Sequence, residues 1–146
     1  MSSLTALRIS ASGLTAERLR MDVIANNIAN QRTTRTSEGG EYKRRVVVFR
    51  PIEISKAPGL AREAQASMPK QQGVRVAAIV EDPRPGTKVY DPGHPDADAD
   101  GYVTYPNVNI VTEMVDMMSA TRAYEANLVA ANAAKTMAIK ALELGE

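Results

Sequence analysis

The chain has 146 residues, about one domain, with a formal net charge of +1. The near-balanced charge argues against nucleic-acid and anionic-membrane partners, and the absence of cysteine excludes disulfides, thiolate metal sites and a thiol nucleophile. One Phe and no Trp leave burial to Ala, Val, Leu, Ile and Met, which suits thin helical seams.

The N-terminal segment, residues 2–30, is predicted to be a helix that starts at a Ser2 or Ser3 cap and stops near Asn30. An apolar row with alternating spacings of three and four residues runs along it, broken only by Arg18. Charged residues interrupt its apolar centre, so we expect neither a cleaved signal peptide nor a membrane-spanning segment. The row is the first predicted assembly seam: Leu4, Leu7, Ala11, Leu14, Met21, Ala25 and Ile28.

The middle of the chain is predicted to be a small β-rich region with loops. Residues 31–41 are polar and contain Gly39 and Gly40, which favours a loop. Between residues 55 and 72, prolines and glycine interrupt any long element, and residues 91–101 form a turn-rich acidic loop. Three strands are predicted, at residues 42–54, 73–81 and 87–90.

The C-terminal segment is predicted to be a second long helix, introduced by Pro106 and Asn107 and ended by Gly145. Its row again alternates four and three residues, and Thr121, Lys135 and Ala138 occupy its other positions. The apolar members are the second predicted assembly seam: Ile110, Met114, Met117, Tyr124, Leu128, Ala131 and Leu142.

These elements predict an α+β fold, in which long N- and C-terminal helices pack as a coiled-coil-like pair with a small β-rich insertion between them. Residues 1–31 and 107–146 would form a terminal helical domain, and residues 32–106 the insertion. One helix pair cannot cover both seams, so we expect further helices to cover them. Isolated helices draw most of their stability from packing, so residues 2–30 and 107–144 should be largely unfolded or loosely helical in the free chain.

Two motifs at opposite ends of the chain resemble those of the flagellar axial proteins, specifically the basal-body rod proteins. The first has the form SGL, then ANNIAN, and the second has Asn, then Glu-Met, then Arg-x-Tyr-x-x-Asn. Within this family, the short length and the segment GHPDADADGYVTYPNVN, residues 93–109, are most similar to the C-type subunits of the proximal rod. The motif residues are Ser12, Gly13, Leu14, Ala25, Asn26, Asn27, Ile28, Ala29 and Asn30, and Asn109, Glu113, Met114, Arg122, Tyr124 and Asn127.

The resemblance implies a structural subunit of the proximal rod that assembles through its terminal helices into a tubular axial structure needed for motility. Other rod proteins and copies of the same chain would be its partners, with no nucleic acid, membrane insertion or small-molecule substrate. It implies passage through the flagellar type III export apparatus into the periplasm without a cleaved signal peptide. No enzymatic activity, catalytic residue, metal or cofactor is expected. The alternative function is a soluble coiled-coil adaptor or small binding module.

Four features have a functional and a structural interpretation. Asp96, Asp98, Asp100 and Gly101 match the start of a calcium loop, but Asn107 stands where that loop has a bidentate Glu, so a solvated turn is favoured. His94, between Gly93 and Pro95, is interpreted as a turn histidine and not a general base. The asparagines of ANNIAN could fray the helix end or bind a neighbouring subunit, and the resemblance favours the second. A basic stretch is read as a solvated or protein-facing strand surface and not as a nucleic-acid contact: Arg32, Arg35, Lys43, Arg44, Arg45 and Arg50.

Overall fold

The computed structural model describes residues 3–54 and 72–143. One of the two predicted caps, Ser2, lies outside the described residues, and α1 begins at the other, Ser3. The helix stop at Gly145 and nearly all of the segment predicted to lack a long element also lie outside them. The elements are α1 (Ser3–Ala29), β1 (Arg45–Glu53), β2 (Gln72–Glu81), β3 (Thr87–Tyr90), β4 (Tyr102–Tyr105) and α2 (Ile110–Glu143).

The α+β fold class is confirmed, because two long helices, of 27 and 34 residues, flank a small antiparallel β region. β1 and β2 are hydrogen-bonded neighbours in one two-stranded sheet, and β3 and β4 form a second. The strand predicted at residues 42–54 begins later, at Arg45, because the backbone N–H of Tyr42 donates to the carbonyl of Thr33 in the preceding loop, at 3.0 Å.

The strand β4 was not predicted. It pairs antiparallel with β3, in a register that places Thr87 opposite Tyr105 and Tyr90 opposite Tyr102. Its Val103 is among the most buried residues described. Asp100-Gly101 before an alternating Tyr-Val-Thr-Tyr run is the signal that could have revealed it, since Gly101 has the positive φ, 81°, that such turns require.

The chain divides into two compact units. Unit 1 takes its described residues from Met1–Leu19, Phe49–Ala77 and Thr121–Glu146, and unit 2 comprises Arg20–Val48 and Ala78–Ala120. Within unit 2, α1 and α2 run antiparallel, because Arg20 pairs with Asp116 and the later residue Asn27 bonds to the earlier residue Glu113. The units do not follow the division between terminal helices and insertion, which stays a prediction.

Candidate functional site

Four of the six buried residues of α1 lie one position before a residue of the predicted seam. Ser10 and Gly13 are buried and precede Ala11 and Leu14. One residue turns the side chain by about 100° around a helix. The residues that α1 uses inside its own chain are therefore on a different face from its seam. We call the buried residues the inner row, and its members in α1 are Ser10, Gly13, Ala16, Val23, Ile24 and Asn27.

The same displacement occurs in α2. Glu113 is buried and precedes the exposed Met114, and the half-buried Asn127 precedes the exposed Leu128. The inner row of α2 consists of Glu113, Ala120 and Ala134, all of them buried. Apart from Val23 and Ile24, both inner rows consist of small or polar residues, whereas the seams are rich in Leu, Ile and Met.

The structure leaves every predicted seam residue at least partly accessible. Leu128 is 43% exposed and Leu142 is 75% exposed. The exposed seam residues are Leu4, Ala11, Ala25, Met114, Leu128 and Leu142, and the half-buried ones are Leu7, Leu14, Met21, Ile28, Ile110, Met117, Tyr124 and Ala131.

In unit 1, the two residues that open the first motif have separate roles. The hydroxyl of Ser12 donates to the carbonyl of Ile9 at 2.6 Å and accepts the backbone N–H of Val74 at 3.1 Å, which ties the start of β2 to α1. A Cβ added at Gly13 would lie 2.7–2.9 Å from three atoms of the Asn127 side chain. A glycine in mid-helix is therefore explained by the close approach of α2, although it weakens the helix by about 0.5–1 kcal/mol.

In unit 2, Asn27 of the first motif bonds directly to Glu113 of the second. The Asn27 Nδ2 donates to Glu113 Oε2 at 2.9 Å and to the Arg45 carbonyl at 2.8 Å. Its Oδ1 accepts the Tyr42 hydroxyl at 3.0 Å and the Arg45 backbone N–H at 2.9 Å. Two donors and two acceptor sites are all that an amide side chain has. All hydrogen-bonding groups of the Asn27 side chain are therefore used within its own chain. The expectation that this asparagine would bind a neighbouring subunit is not met.

Glu113 and Asn27 are among the most completely buried side chains of the described residues, at 0% and 1% exposure. A buried carboxylate needs a counter-charge, which Arg44 supplies by donating from Nε to Glu113 Oε1 at 2.6 Å. Burial also raises the pKa of Tyr42, so its hydroxyl stays a donor to Asn27 across the neutral range. We call Asn27, Tyr42, Arg44 and Glu113 the polar junction.

The interpretation of the basic stretch as a solvated surface is wrong for Arg44, whose side chain is only 15% exposed. The sequence did not reveal the burial of Arg44, because residues 43–45 are all charged. Successive side chains of an extended segment point to opposite faces, so the middle one of three charged side chains can be buried while its neighbours stay exposed. Arg45, 52% exposed, faces Glu81 at 3.9 Å, and Arg35 faces Asp96 at 3.6 Å. These arginines thus have acidic neighbours within the chain.

The acidic loop is built as a turn. The Asp98 Oδ1 accepts backbone N–H groups from Asp100 and Tyr102, at 3.0 and 2.8 Å. Asp96 accepts the Thr34 hydroxyl at 2.8 Å, and its own backbone N–H donates to the Nδ1 of His94 at 3.1 Å. These contacts agree with the interpretation of both the aspartates and the histidine as turn residues.

The remaining motif residues are at the helix ends and on accessible faces. Asn109 caps α2, since its Oδ1 accepts the Thr112 N–H at 3.2 Å, so the cap comes two residues after the predicted Asn107. Asn30 accepts the Thr33 hydroxyl at 3.1 Å. The exposed motif residues outside the seams are Asn26, Ala29, Asn109 and Arg122.

Within residues 3–54 and 72–143 there is no group of three or more His, Asp or Glu side chains placed to hold a metal ion. None of the described helices has the length and apolar character needed to cross a membrane.

Comparison with known proteins identifies the family. A family model of flagella basal body rod proteins matches residues 7–35, and one of the C-terminal region of flagellar basal body rod FlgEFG proteins matches residues 99–144. The flagellar basal-body rod protein FlgC of Borreliella burgdorferi is 46% identical to the chain and is aligned over 99% of this chain and 98% of its own. The chain belongs to the FlgC family of flagellar basal-body rod proteins.

Two further FlgC relatives match over the full length of both chains. The FlgC of Bacillus subtilis is 45% identical, and that of Escherichia coli O157:H7 is 41% identical. The chain is therefore a structural subunit of the flagellar rod and not an enzyme, and the adaptor alternative is set aside. The two motifs that carried the resemblance are joined by the polar junction.

Proposed function

We propose that the two seams are the surfaces through which this rod subunit packs against neighbouring subunits in a tubular rod. The proposal rests on the observation that, on each helix, the seam lies on a different face from the inner row. The inner row already supplies contacts within the chain, yet Leu4, Met114, Leu128 and Leu142 keep more than 40% of their surface exposed. Burying one Leu or Met side chain contributes about 1.5–3 kcal/mol, so assembly would gain from covering them.

The neighbours would be other rod proteins and further copies of this chain. Met114 and Met118 are both exposed on α2, and methionine adapts its shape to partners that are not identical. Residues 1–31 and 107–146 would act as the assembling domain, with residues 32–106 as the insertion. The placement in the proximal rod rests on the short length and on the resemblance of residues 93–109 to C-type subunits. The role in motility rests on the resemblance to the rod proteins as a family.

We further propose that the chain reaches the periplasm through the flagellar type III export apparatus without a cleaved signal peptide. Arg8, Glu17 and Arg18 interrupt the apolar residues of the N-terminal helix, which does not fit a signal peptide. The absence of cysteine suits threading through a narrow channel. An immunoblot of periplasmic fractions tests this: loss of export function should retain the full-length chain in the cytoplasm.

The assembly proposal is tested with Leu128→Asp. Leu128 is accessible in the free chain, so the substitution should leave expression and monomer melting nearly unchanged. In the rod the new carboxylate would be buried without a partner, which costs several kcal/mol. We expect loss of the subunit from purified basal bodies, measured by quantitative immunoblot, and loss of swimming.

Asn132→Asp is the matched control, because it adds the same charge at an exposed, non-seam position one turn further along α2. Glu143→Lys, near the described end of α2, should also be tolerated. Normal incorporation of Leu128→Asp would show that this position is not a buried contact, and the proposal for the C-terminal seam would then be rejected.

A further inference from the structure

Six charged side chains in unit 2 form a balanced cluster around the polar junction. Three are arginines and three are carboxylates, and they come from both helices and from the segments that flank β1 and β2. None of these six side chains belongs to a seam, so the proposed assembly does not explain them. We call it the charge cluster, and its members are Arg20, Arg44, Asp82, Arg84, Glu113 and Asp116.

Arg44 is the centre of the charge cluster, since it reaches all three carboxylates. Its Nε lies 2.6 Å from Glu113 Oε1, its Nη2 lies 3.4 Å from Asp116 Oδ2, and its Nη1 lies 3.7 Å from Asp82 Oδ2. Asp82 follows β2, whereas Glu113 and Asp116 are three residues apart on one face of α2. A planar guanidinium directs its donors at set angles, so these contacts define an orientation and not only a distance.

The backbone at Arg44 is held as well. Its N–H donates to the Asn107 Oδ1 at 3.1 Å, and its carbonyl accepts the Asp82 N–H at 2.7 Å. The Asn107 side chain in turn donates to the Arg84 carbonyl at 2.9 Å. The side chain of Arg44 therefore starts from a backbone position that is tied to the segments on either side of the β3–β4 sheet.

The other two arginines complete the charge balance. Arg84 donates to both oxygens of Asp82 at 3.0 Å, and Arg20 lies 3.7 Å from Asp116. Buried ion pairs add little net stability, because the loss of hydration offsets much of the attraction, but in some proteins they select one arrangement among several. We propose that Arg44 is a positioning residue that sets the orientation of the β1 and β2 ends against α2.

The test measures orientation separately from stability. The natural sequence has no cysteine, so Ala78→Cys and Ser119→Cys, both exposed in unit 2, give a clean pair of spin-label sites on β2 and α2. The distribution of distances between the two spin labels is measured by double electron–electron resonance spectroscopy. The melting temperature is measured by circular dichroism. Neither readout needs an assembled rod, so the result does not depend on the proposed function.

Arg44→Met alone leaves a buried carboxylate without its counter-ion, and we expect the melting temperature to fall by about 10–20 °C. In Arg44→Met with Glu113→Gln, the glutamine keeps an acceptor for Asn27 and no charge is left alone. The melting temperature should recover to within about 5 °C of the parent chain, whereas the distance distribution should be about twice as broad.

Arg45→Met is the matched control: the same change one residue along, at an exposed ion pair, should leave both readouts unchanged. Arg44→Lys keeps the positive charge but loses the planar arrangement of guanidinium donors. The variant should fold normally, and its distance distribution should be broader than that of the parent chain. A folded double variant with a distribution as narrow as that of the parent chain would overturn the proposal. If the double variant does not fold, the Arg44→Lys variant alone tests the proposal. A distance distribution in Arg44→Lys as narrow as that of the parent chain would then overturn the proposal.

Discussion

Replacing Gly13 by Ala should destabilise the chain, although the same change at an unobstructed helix position is stabilising. An unobstructed Gly→Ala change gains about 1 kcal/mol. Here the new Cβ would lie 2.7 Å from Asn127 Oδ1 and 2.8 Å from its Cγ, whereas unstrained carbon contacts are about 3.5–4.0 Å. The Asn127 side chain is held by a 2.9 Å bond from its Nδ2 to the Ala123 carbonyl, so moving it also disturbs that bond.

Overpacking of this kind costs about 1–3 kcal/mol, against the helix gain of about 1 kcal/mol, and leaves a net loss of up to about 2 kcal/mol. For a chain of this size the melting temperature should fall by up to about 6 °C. Adding Asn127→Ala removes the obstructing side chain, so the double variant should melt at or above the parent chain. Asn132→Ala, at an exposed position of α2, controls for helix propensity and should raise the melting temperature slightly. If Gly13→Ala alone raises it, close helix contact is not the reason for the glycine.

Three further outcomes are expected. Amide exchange of the dilute monomer should be slowest in residues 110–120, beside the polar junction, and fastest in residues 137–143; uniform protection would contradict this. Hydrogen bonds from Arg84 lower the pKa of Asp82 from 3.8 to about 2, so its stabilisation is present above pH 4 and is lost as the pH falls towards 2. Arg84→Met should therefore shift acid unfolding to higher pH, and an unchanged midpoint would count against the pairing. Because burial raises the pKa of Tyr42 above 10.0, its contribution is present below pH 10 and is lost as the pH rises through the folded-state pKa. Tyr42→Phe should remove that alkaline step and cost about 1 kcal/mol at pH 7, as measured by urea unfolding.

The assembly role of the seams stays a prediction, but periodicity was sufficient to predict both helices and three of the four strands. It could not identify the inner row, because a search for apolar residues at helical spacing passes over Ser10, Gly13, Asn27 and Glu113. Their burial depends on a specific partner: Glu113 is buried because Arg44 and Asn27 reach it, and those residues are 69 and 86 positions away in sequence. Such pairings between distant residues leave no periodic signal along the chain.

The motifs combine an inner residue with a seam residue at adjacent positions: Gly13 with Leu14, Asn27 with Ile28, and Glu113 with Met114. The inner members of these pairs are small or polar, so their contacts are specific but bury little apolar surface. Burial of apolar surface stabilises by about 0.8 kcal/mol for each methylene-sized group, so these residues contribute little by that route. The seam members carry the larger apolar groups and remain accessible. If apolar side chains alone joined α1 to α2, either helix could pair equally well with a neighbour's helix, because apolar contacts do not distinguish among partners of similar shape. The bond between Asn27 and Glu113 makes that exchange costly, since an unpaired buried carboxylate or amide loses more than an apolar contact gains. Each helix therefore has a specific partner within its own chain, which leaves the seams available for the proposed contacts with other subunits.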